Sequence, residues 1–288
     1  MQVPAQFEYE RATSVGHALE LLAKYGPECR VIAGGHSLIP MMKLRLARPE
    51  ALIDINELDE LSRIEVVGGE LRIGALVRHA ELLDSADAGR LFPILHDAER
   101  VVADPIVRNR GTVGGSLCQA DPSEDLSAAF TAVRAEAVVE GVDGTRVVPV
   151  REFFTGPYET AVGPGELLVQ LRLPIRDGTG SAYAKVGRRA GDWAIAAVGA
   201  SLRLEQDEIV EAGLGLTAVG APHFVAVEAE DFLRGGPATP ERFEEAGTIA
   251  AAHCSPAADQ RGPADYKRHL VAQLTIRALH QAQARRAG

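Results

Sequence analysis

Two glycine-rich turns carry the clearest chemistry in this chain: Ala33-Gly34-Gly35-His36-Ser37 and Gly111-Thr112-Val113-Gly114-Gly115-Ser116. Each sets adjacent glycines beside hydroxyl residues. Glycine reaches positive φ and lets the backbone approach a ligand closely. Successive N–H groups then converge on one concavity that suits an anion. Two such turns could supply two sets of donors to one diphosphate, which points to a bound dinucleotide. In the first turn Ser37 adds a hydroxyl donor, His36 could donate to a phosphate or pack on a ring, and the helix that follows favours negative charge at its start. The same residues also suit an ordinary strand-to-helix turn. The second turn follows Arg108 and Arg110, and five residues beyond Ser116 comes Asp121-Pro122-Ser123-Glu124-Asp125. An ionised carboxylate only accepts hydrogen bonds, so Asp125 suits ribose hydroxyls. It equally suits the N-cap of a helix opening at residue 126.

Other constellations are thin. Gly213-Leu214-Gly215-Leu216-Thr217-Ala218 fits the loose nicotinamide-dinucleotide pattern G-x-G-x-x-A, which requires a helix to begin within it. Here the run reads as strand and Pro222 follows. H-E-x-x-H, G-x-S-x-G and a Walker loop are all missing, so no catalytic residue is assigned. Cys29, Cys118 and Cys254 lie far apart without a Cys-x-x-Cys pair, which argues against a zinc or iron–sulfur site in this chain. They read as buried apolar cysteines, and no metal ligand is assigned. A dinucleotide site without acid–base groups of its own suggests that the cofactor carries the chemistry.

Composition agrees with a globular protein: 288 residues, 46% hydrophobic, 24% charged, with a net charge of −10. That charge disfavours nucleic acid and anionic lipid as partners. No apolar run approaches the ~18 residues of a membrane helix. Met1 to Arg11 lacks an apolar signal core, so a cytoplasmic location is expected.

The elements that must position the turns follow from periodicity and punctuation. Residues 14–25 predict a helix with Ser14 as N-cap, Gly26 as C′ residue and Val15, Ala18, Leu19 and Leu22 on one face. Cys29 to Ile32 predicts a strand into the first turn, residues 38–46 a helix, and Leu52 to Ile55 a buried strand: one β–turn–α–β unit. Glu65 to Gly74 predicts a hairpin across Gly68-Gly69. Helices are expected over 79–88, 93–102 and 126–134, with strands at 135–140, 145–150 and 167–174. Residues 174–180 (PIRDGTG) read as a linker. Beyond it, strands over 181–187, 194–205 and 208–219 precede helices over 224–234, 240–253 and 264–285. That order predicts a small antiparallel sheet covered by helices.

At this point the residues resemble a known family. Val31 to Arg45 (VIAGGHSLIPMMKLR) looks like the first FAD loop of the flavoprotein (medium) subunits of molybdenum hydroxylases, and Arg108 to Leu117 (RNRGTVGGSL) like their second. Ala182 to Ala194 (AYAKVGRRAGDWA) resembles the start of their C-terminal domain and Arg261 to Arg268 its last helix. The likeness spans essentially the whole chain and is strongest to the aerobic carbon monoxide dehydrogenase branch. It implies an α+β fold: an FAD-binding domain of two subdomains, vanillyl-alcohol-oxidase/PCMH-like, over residues 1–177, then a small domain over 178–288. It implies FAD between them, its diphosphate on Ile32, Ala33, Gly34, Gly35, His36, Ser37 and Leu38 and on Gly111, Thr112, Gly114, Gly115 and Ser116. Asp125 matches the ribose-side carboxylate, and Lys185 and Asp192-Trp193 would come from the second domain. Trp193 would shield a ring face or control electron access, or else pack in the core. Ser116 stands where asparagine is frequent. The resemblance further implies an iron–sulfur small subunit and a molybdopterin large subunit, as a dimer of heterotrimers. Electrons would pass from the partner's [2Fe–2S] clusters through FAD to an external acceptor, with quinone expected and peripheral contact with a membrane quinone system. An aldehyde or N-heterocycle hydroxylase is the alternative within the class, and a stand-alone FAD reductase the alternative outside it.

Overall fold

The computed structural model describes residues 3–286. Its first layer is a parallel three-stranded sheet of β1 (Glu8–Arg11), β2 (Cys29–Ile32) and β3 (Ala51–Asp54), ordered β1-β3-β2. Helix α1 (Val15–Tyr25) connects β1 to β2. Ser14 Oγ accepts the His17 N–H at 3.0 Å and starts it, and Gly26 at φ 64° ends it. Val15, Ala18, Leu21 and Leu22 are its buried face, with Leu21 taking the place expected of Leu19. Helix α2 (Leu38–Lys43) connects β2 to β3. It stops short of residue 46 because Arg45 turns to φ 60°.

A second layer begins with the hairpin of β4 (Ile64–Val67) and β5 (Glu70–Gly74). Its turn glycines, Gly68 and Gly69, sit at φ 62° and 79°, as a tight primed turn requires. Helices α3 (His79–Asp84), α4 (Ala86–Leu91), α5 (Pro93–Val101), α6 (Pro105–Arg108), α7 (Val113–Gln119) and α8 (Asp125–Ala132) follow. The helix expected over 79–88 is broken at Ser85, which is extended and caps α4 through the Ala88 N–H. Then come β6 (Glu136–Gly141), β7 (Gly144–Pro149), α9 (Val150–Phe153), the small ladder of β8 (Phe154–Gly156) and β9 (Glu159–Thr160), and β10 (Leu167–Pro174). Five strands form an antiparallel sheet in the order β4-β5-β10-β6-β7, with β10 central. Leu71, Ile73, Leu95, Leu117, Phe130 and Phe153 form the fully buried centre where helices meet this sheet.

The third layer is the antiparallel sheet β11 (Thr179–Val186), β12 (Ala196–Glu205) and β13 (Glu208–Thr217), followed by α10 (Val227–Leu233), α11 (Pro240–His253) and α12 (Ala264–Ala284). Side chains alternate along these strands. Ala182, Ala184, Val198, Ala200, Leu214 and Leu216 pack with Val271, Leu274 and Ala278 of α12. Tyr183 and Ala197 point the other way and join the core of α5 and α8. The sheet is thus covered on both faces. On the second face a β-carbon at Gly213 would lie 1.9 Å from the Ala132 carbonyl oxygen, and one at Gly215 1.9 Å from that of Ala128. The G-x-G pair is therefore a strand feature that lets α8 lie directly on β13.

Candidate functional site

The first glycine turn keeps its donors free. β2 delivers the chain at Ile32, Gly35 takes φ 74°, and Ser37 occupies the N-cap position of α2 without a side-chain cap bond. Among the described residues, the backbone N–H groups of Gly34, Gly35, His36, Ser37 and Leu38 meet no protein acceptor. His36 and Ser37 are exposed and the rest are half-buried. Five consecutive unpaired donors on one short turn are costly unless water or a ligand takes them.

The second turn is built differently. Thr112 caps α7 by accepting the Gly115 N–H at 3.1 Å, and Gly114 and Gly115 lie inside the helix. The Gly114 N–H donates to Ala75 at 2.9 Å, that of Val113 to Val77 at 2.9 Å and that of Ser116 to Thr112 at 3.0 Å. A β-carbon on Gly114 would lie 2.6 Å from that of Ala75. Most donors of this turn are thus spent on its own fold, and its Ser116 hydroxyl stands half-buried at the edge.

The structure brings the two turns into contact. A β-carbon on Gly34 would lie 2.2 Å from the Arg110 carbonyl oxygen and 2.8 Å from the Gly111 Cα. A side-chain brace spans the same gap. Asn56 Nδ2 donates to the Ala33 carbonyl at 2.7 Å, Arg78 Nη2 donates to Asn56 Oδ1 at 2.8 Å, and Arg78 Nη1 donates to the Arg110 carbonyl. Neither Asn56 nor Arg78 was expected from sequence. The only local signal is Asp54-x-Asn56 just past β3, where Asp54 Oδ1 accepts the Asn56 N–H at 2.8 Å.

Beneath the second turn lies a buried polar row. Ser116 Oγ is 3.0 Å from His79 Nε2, and His79 Nδ1 is 3.0 Å from both oxygens of Glu99. His79 is 2% and Glu99 0% exposed. Burial disfavours an imidazolium, but the Glu99 carboxylate outweighs it and holds His79 above its usual range. Nearby, Glu124 rather than Asp125 caps α8: its oxygens accept the Leu126 and Ser127 N–H groups at 2.8 and 2.6 Å. Burial pushes its carboxyl up to about 7 despite those bonds.

Asp125 is the first residue of α8 and is buried. Tyr183 donates to Oδ1 and Lys185 Nζ to Oδ2, each at 2.7 Å, and Lys185 also reaches the Val101 carbonyl at 3.2 Å. Both donors lie on the same face of β11, two residues apart, so the third layer grips α8 through this carboxylate. Burial raises its affinity for a proton, and Lys185 opposes that. Asp192 accepts the Trp193 N–H at 2.9 Å and pairs with Arg188 at 3.2 Å. Trp193 is 46% exposed, so its side chain is not core. Its loop reaches the second layer, since a β-carbon on Gly191 would lie 2.6 Å from the Ala103 carbonyl oxygen.

Comparison with known proteins gives the family. Residues 5–176 match the family described as FAD binding domain in molybdopterin dehydrogenase, and residues 181–282 match the CO dehydrogenase flavoprotein C-terminal domain. The chain belongs to the molybdopterin dehydrogenase flavoproteins. It is 41% identical to the carbon monoxide dehydrogenase medium chain of Hydrogenophaga pseudoflava, over 98% of this chain and 99% of that one. It is 36% identical to the glyceraldehyde dehydrogenase medium chain of Sulfolobus acidocaldarius, over 96% and 99%. The solved carbon monoxide dehydrogenase from Hydrogenophaga pseudoflava, lacking the Mo-pyranopterin moiety, superposes at a TM-score of 0.95 with 43% identity, over 99% of this chain and 100% of that one. The cofactor of this flavoprotein family is FAD, the chain is an oxidoreductase subunit, and the free donors of the first turn fit the diphosphate of that cofactor.

Proposed function

We propose that this chain carries FAD as the electron-transfer subunit of a molybdenum hydroxylase of the carbon monoxide dehydrogenase type. The observation that carries the reading is the run of five unpaired N–H groups at Gly34–Leu38, pressed against the second turn. In this reading Ile32 to Ser37 and Leu38 hold the diphosphate with Gly111, Thr112, Gly114, Gly115 and Ser116 backing them. Asp125 and Lys185 serve the ribose side, where a hydroxyl must share Asp125 with Tyr183 and Lys185. Asp192 and the exposed Trp193 stand toward the ring. Residues 1–177 form the FAD-binding domain and 178–288 the C-terminal one.

Bound FAD supplies the ability to accept electrons singly and hand on a pair. The chain itself binds the diphosphate, encloses it between layers and orients the ring. The partners are a small subunit with two [2Fe–2S] clusters and a large molybdopterin subunit, in a dimer of heterotrimers, with quinone as acceptor at a membrane surface and the assembly in the cytoplasm. Among the described residues no helix is long and apolar enough to cross a membrane. The 36% identity to a glyceraldehyde dehydrogenase medium chain favours a second reading, the same role in an aldehyde hydroxylase. Reconstitution tests both. The chain combined with its two partner subunits is expected to reduce quinone with carbon monoxide as donor, and the chain alone to turn over neither carbon monoxide nor aldehydes. Rapid turnover by the chain alone would overturn the subunit reading, and activity of the assembly with aldehydes only would select the second.

A further inference from the structure

His79 and Glu99 have no role assigned so far, and they form a buried row with Ser116. Its order is that of a hydrolase triad. Yet the N–H groups of Gly114, Gly115 and Ser116 are spent on Ala75 and Thr112, so no oxyanion hole stands beside the serine. The row does something else. An imidazolium has two N–H donors and no acceptor. In His79 the Nδ1–H is taken by Glu99, so the Nε2–H points at Ser116 Oγ. The serine then accepts from His79, and its own proton must turn toward a partner elsewhere. Among the described residues Ser116 Oγ has no other partner. With a neutral ring whose proton stays on Nδ1, Nε2 is an acceptor instead. Ser116 then donates inward, and only lone pairs face outward.

We infer that the buried His79–Glu99 pair holds Ser116 as a hydrogen-bond donor to an anionic phosphate oxygen at the second glycine turn, and withdraws that donor when His79 loses its proton. The inference rests on the reading that the FAD diphosphate lies on the two turns. His79 is faced by Glu99 from α5, by Arg108 from α6 and by Glu124 and Asp125 at the start of α8. The charged residues of α4, Asp87 and Arg90, pair with each other at the surface. Glu99 at 3.0 Å contributes most in favour of the imidazolium, Glu124 adds to it when ionised, and Arg108 opposes it. A β-carbon on Gly111 would lie 2.8 Å from His79 Cδ2, so the ring is fixed in place by the backbone of the same turn. His79 and Glu99 are positioning residues that act through Ser116.

The test is FAD titration of the full chain by flavin fluorescence over a pH range that starts near the ordinary histidine midpoint of about 6.5 and extends above it. The wild type is expected to lose about tenfold in affinity across the His79 midpoint, the size of one charge-assisted hydrogen bond. S116A is expected to bind about tenfold more weakly at low pH and to show no midpoint. S116T restores both. E99Q shifts the midpoint downward, because burial without the carboxylate disfavours the imidazolium. S116A with wild-type affinity and pH profile would overturn the inference, as would an unmoved midpoint in E99Q. Folded wild type that takes up no FAD at any pH would overturn the underlying reading as well. Normal FAD uptake with an indifferent S116A would overturn this inference alone.

Discussion

At Gly34 a β-carbon would lie 2.2 Å from the Arg110 carbonyl oxygen, whereas Gly35 is required by its φ of 74°. Both glycines are legible in the sequence as glycines, but only the fold shows that the first serves contact between the turns. The residues that brace and underlie the turns were not legible. Asn56 meets Arg78 across 22 positions and His79 meets Glu99 across 20, separations with no local pattern. Glu124 and Asp125 are adjacent carboxylates that sequence alone does not tell apart, and burial decides the behaviour of Glu124. Its folded value of about 7 lies above the ordinary 4.5. The folded state therefore keeps a proton that the unfolded chain has released. The stabilisation it brings is complete below the unfolded value and is lost as pH rises through about 7, with an upper bound on the order of 3 kcal/mol. Thermal melts should show the wild type losing stability between about pH 5 and about pH 8 relative to E124Q, which keeps a capping oxygen without the titration. Parallel pH curves for the two proteins would contradict this.

Among the elements, strand and helix periodicity gave the most. The hairpin at Gly68-Gly69, β11 to β13 and α10 to α12 lie close to where strand alternation and helical periodicity put them. The misses have physical causes. β1 is four residues with little burial pattern, and α7 opens on Val113-Gly114-Gly115, residues of low helix propensity that helix packing against Ala75 nevertheless accommodates. The G-x-G of β13 lies in a strand, and its purpose needs the third dimension, since α8 is far away in sequence. Replacing Gly215 by alanine places a methyl 1.9 Å from the Ala128 carbonyl oxygen, so α8 and β13 must separate. Overpacking of this kind costs about 1–3 kcal/mol. Denaturant titration of G215A should show that loss, and an unchanged midpoint would mean that α8 does not rest on β13 as described.

For the whole molecule, three buried carboxylates lock the C-terminal layer to the rest. Asp97 on α5 accepts the Tyr183 N–H at 3.2 Å and pairs with Arg285, and Asp125 takes Tyr183 and Lys185. Glu230 on α10 takes a bidentate Arg151 at 2.6 and 2.8 Å, with Arg134 at 3.4 Å and the Leu214 N–H at 2.6 Å. The loop that carries Asp192 and Trp193 meets the second layer at Ala103, where a β-carbon on Gly191 would lie 2.6 Å from the carbonyl oxygen. The cofactor of the family is FAD, and the unpaired donors of Gly34–Leu38 are the seat proposed for its diphosphate. The most direct measurement is the flavin content of the purified full chain, read from its absorbance after loading with FAD, for the wild type and for G35V. A valine at φ 74° is strained, and its β-carbon would lie 2.8 Å from Ile39 Cδ1. The wild type is expected to carry stoichiometric FAD and folded G35V essentially none. Equal flavin in the two proteins, or a folded wild type without flavin, would contradict the seat assigned to the first glycine turn.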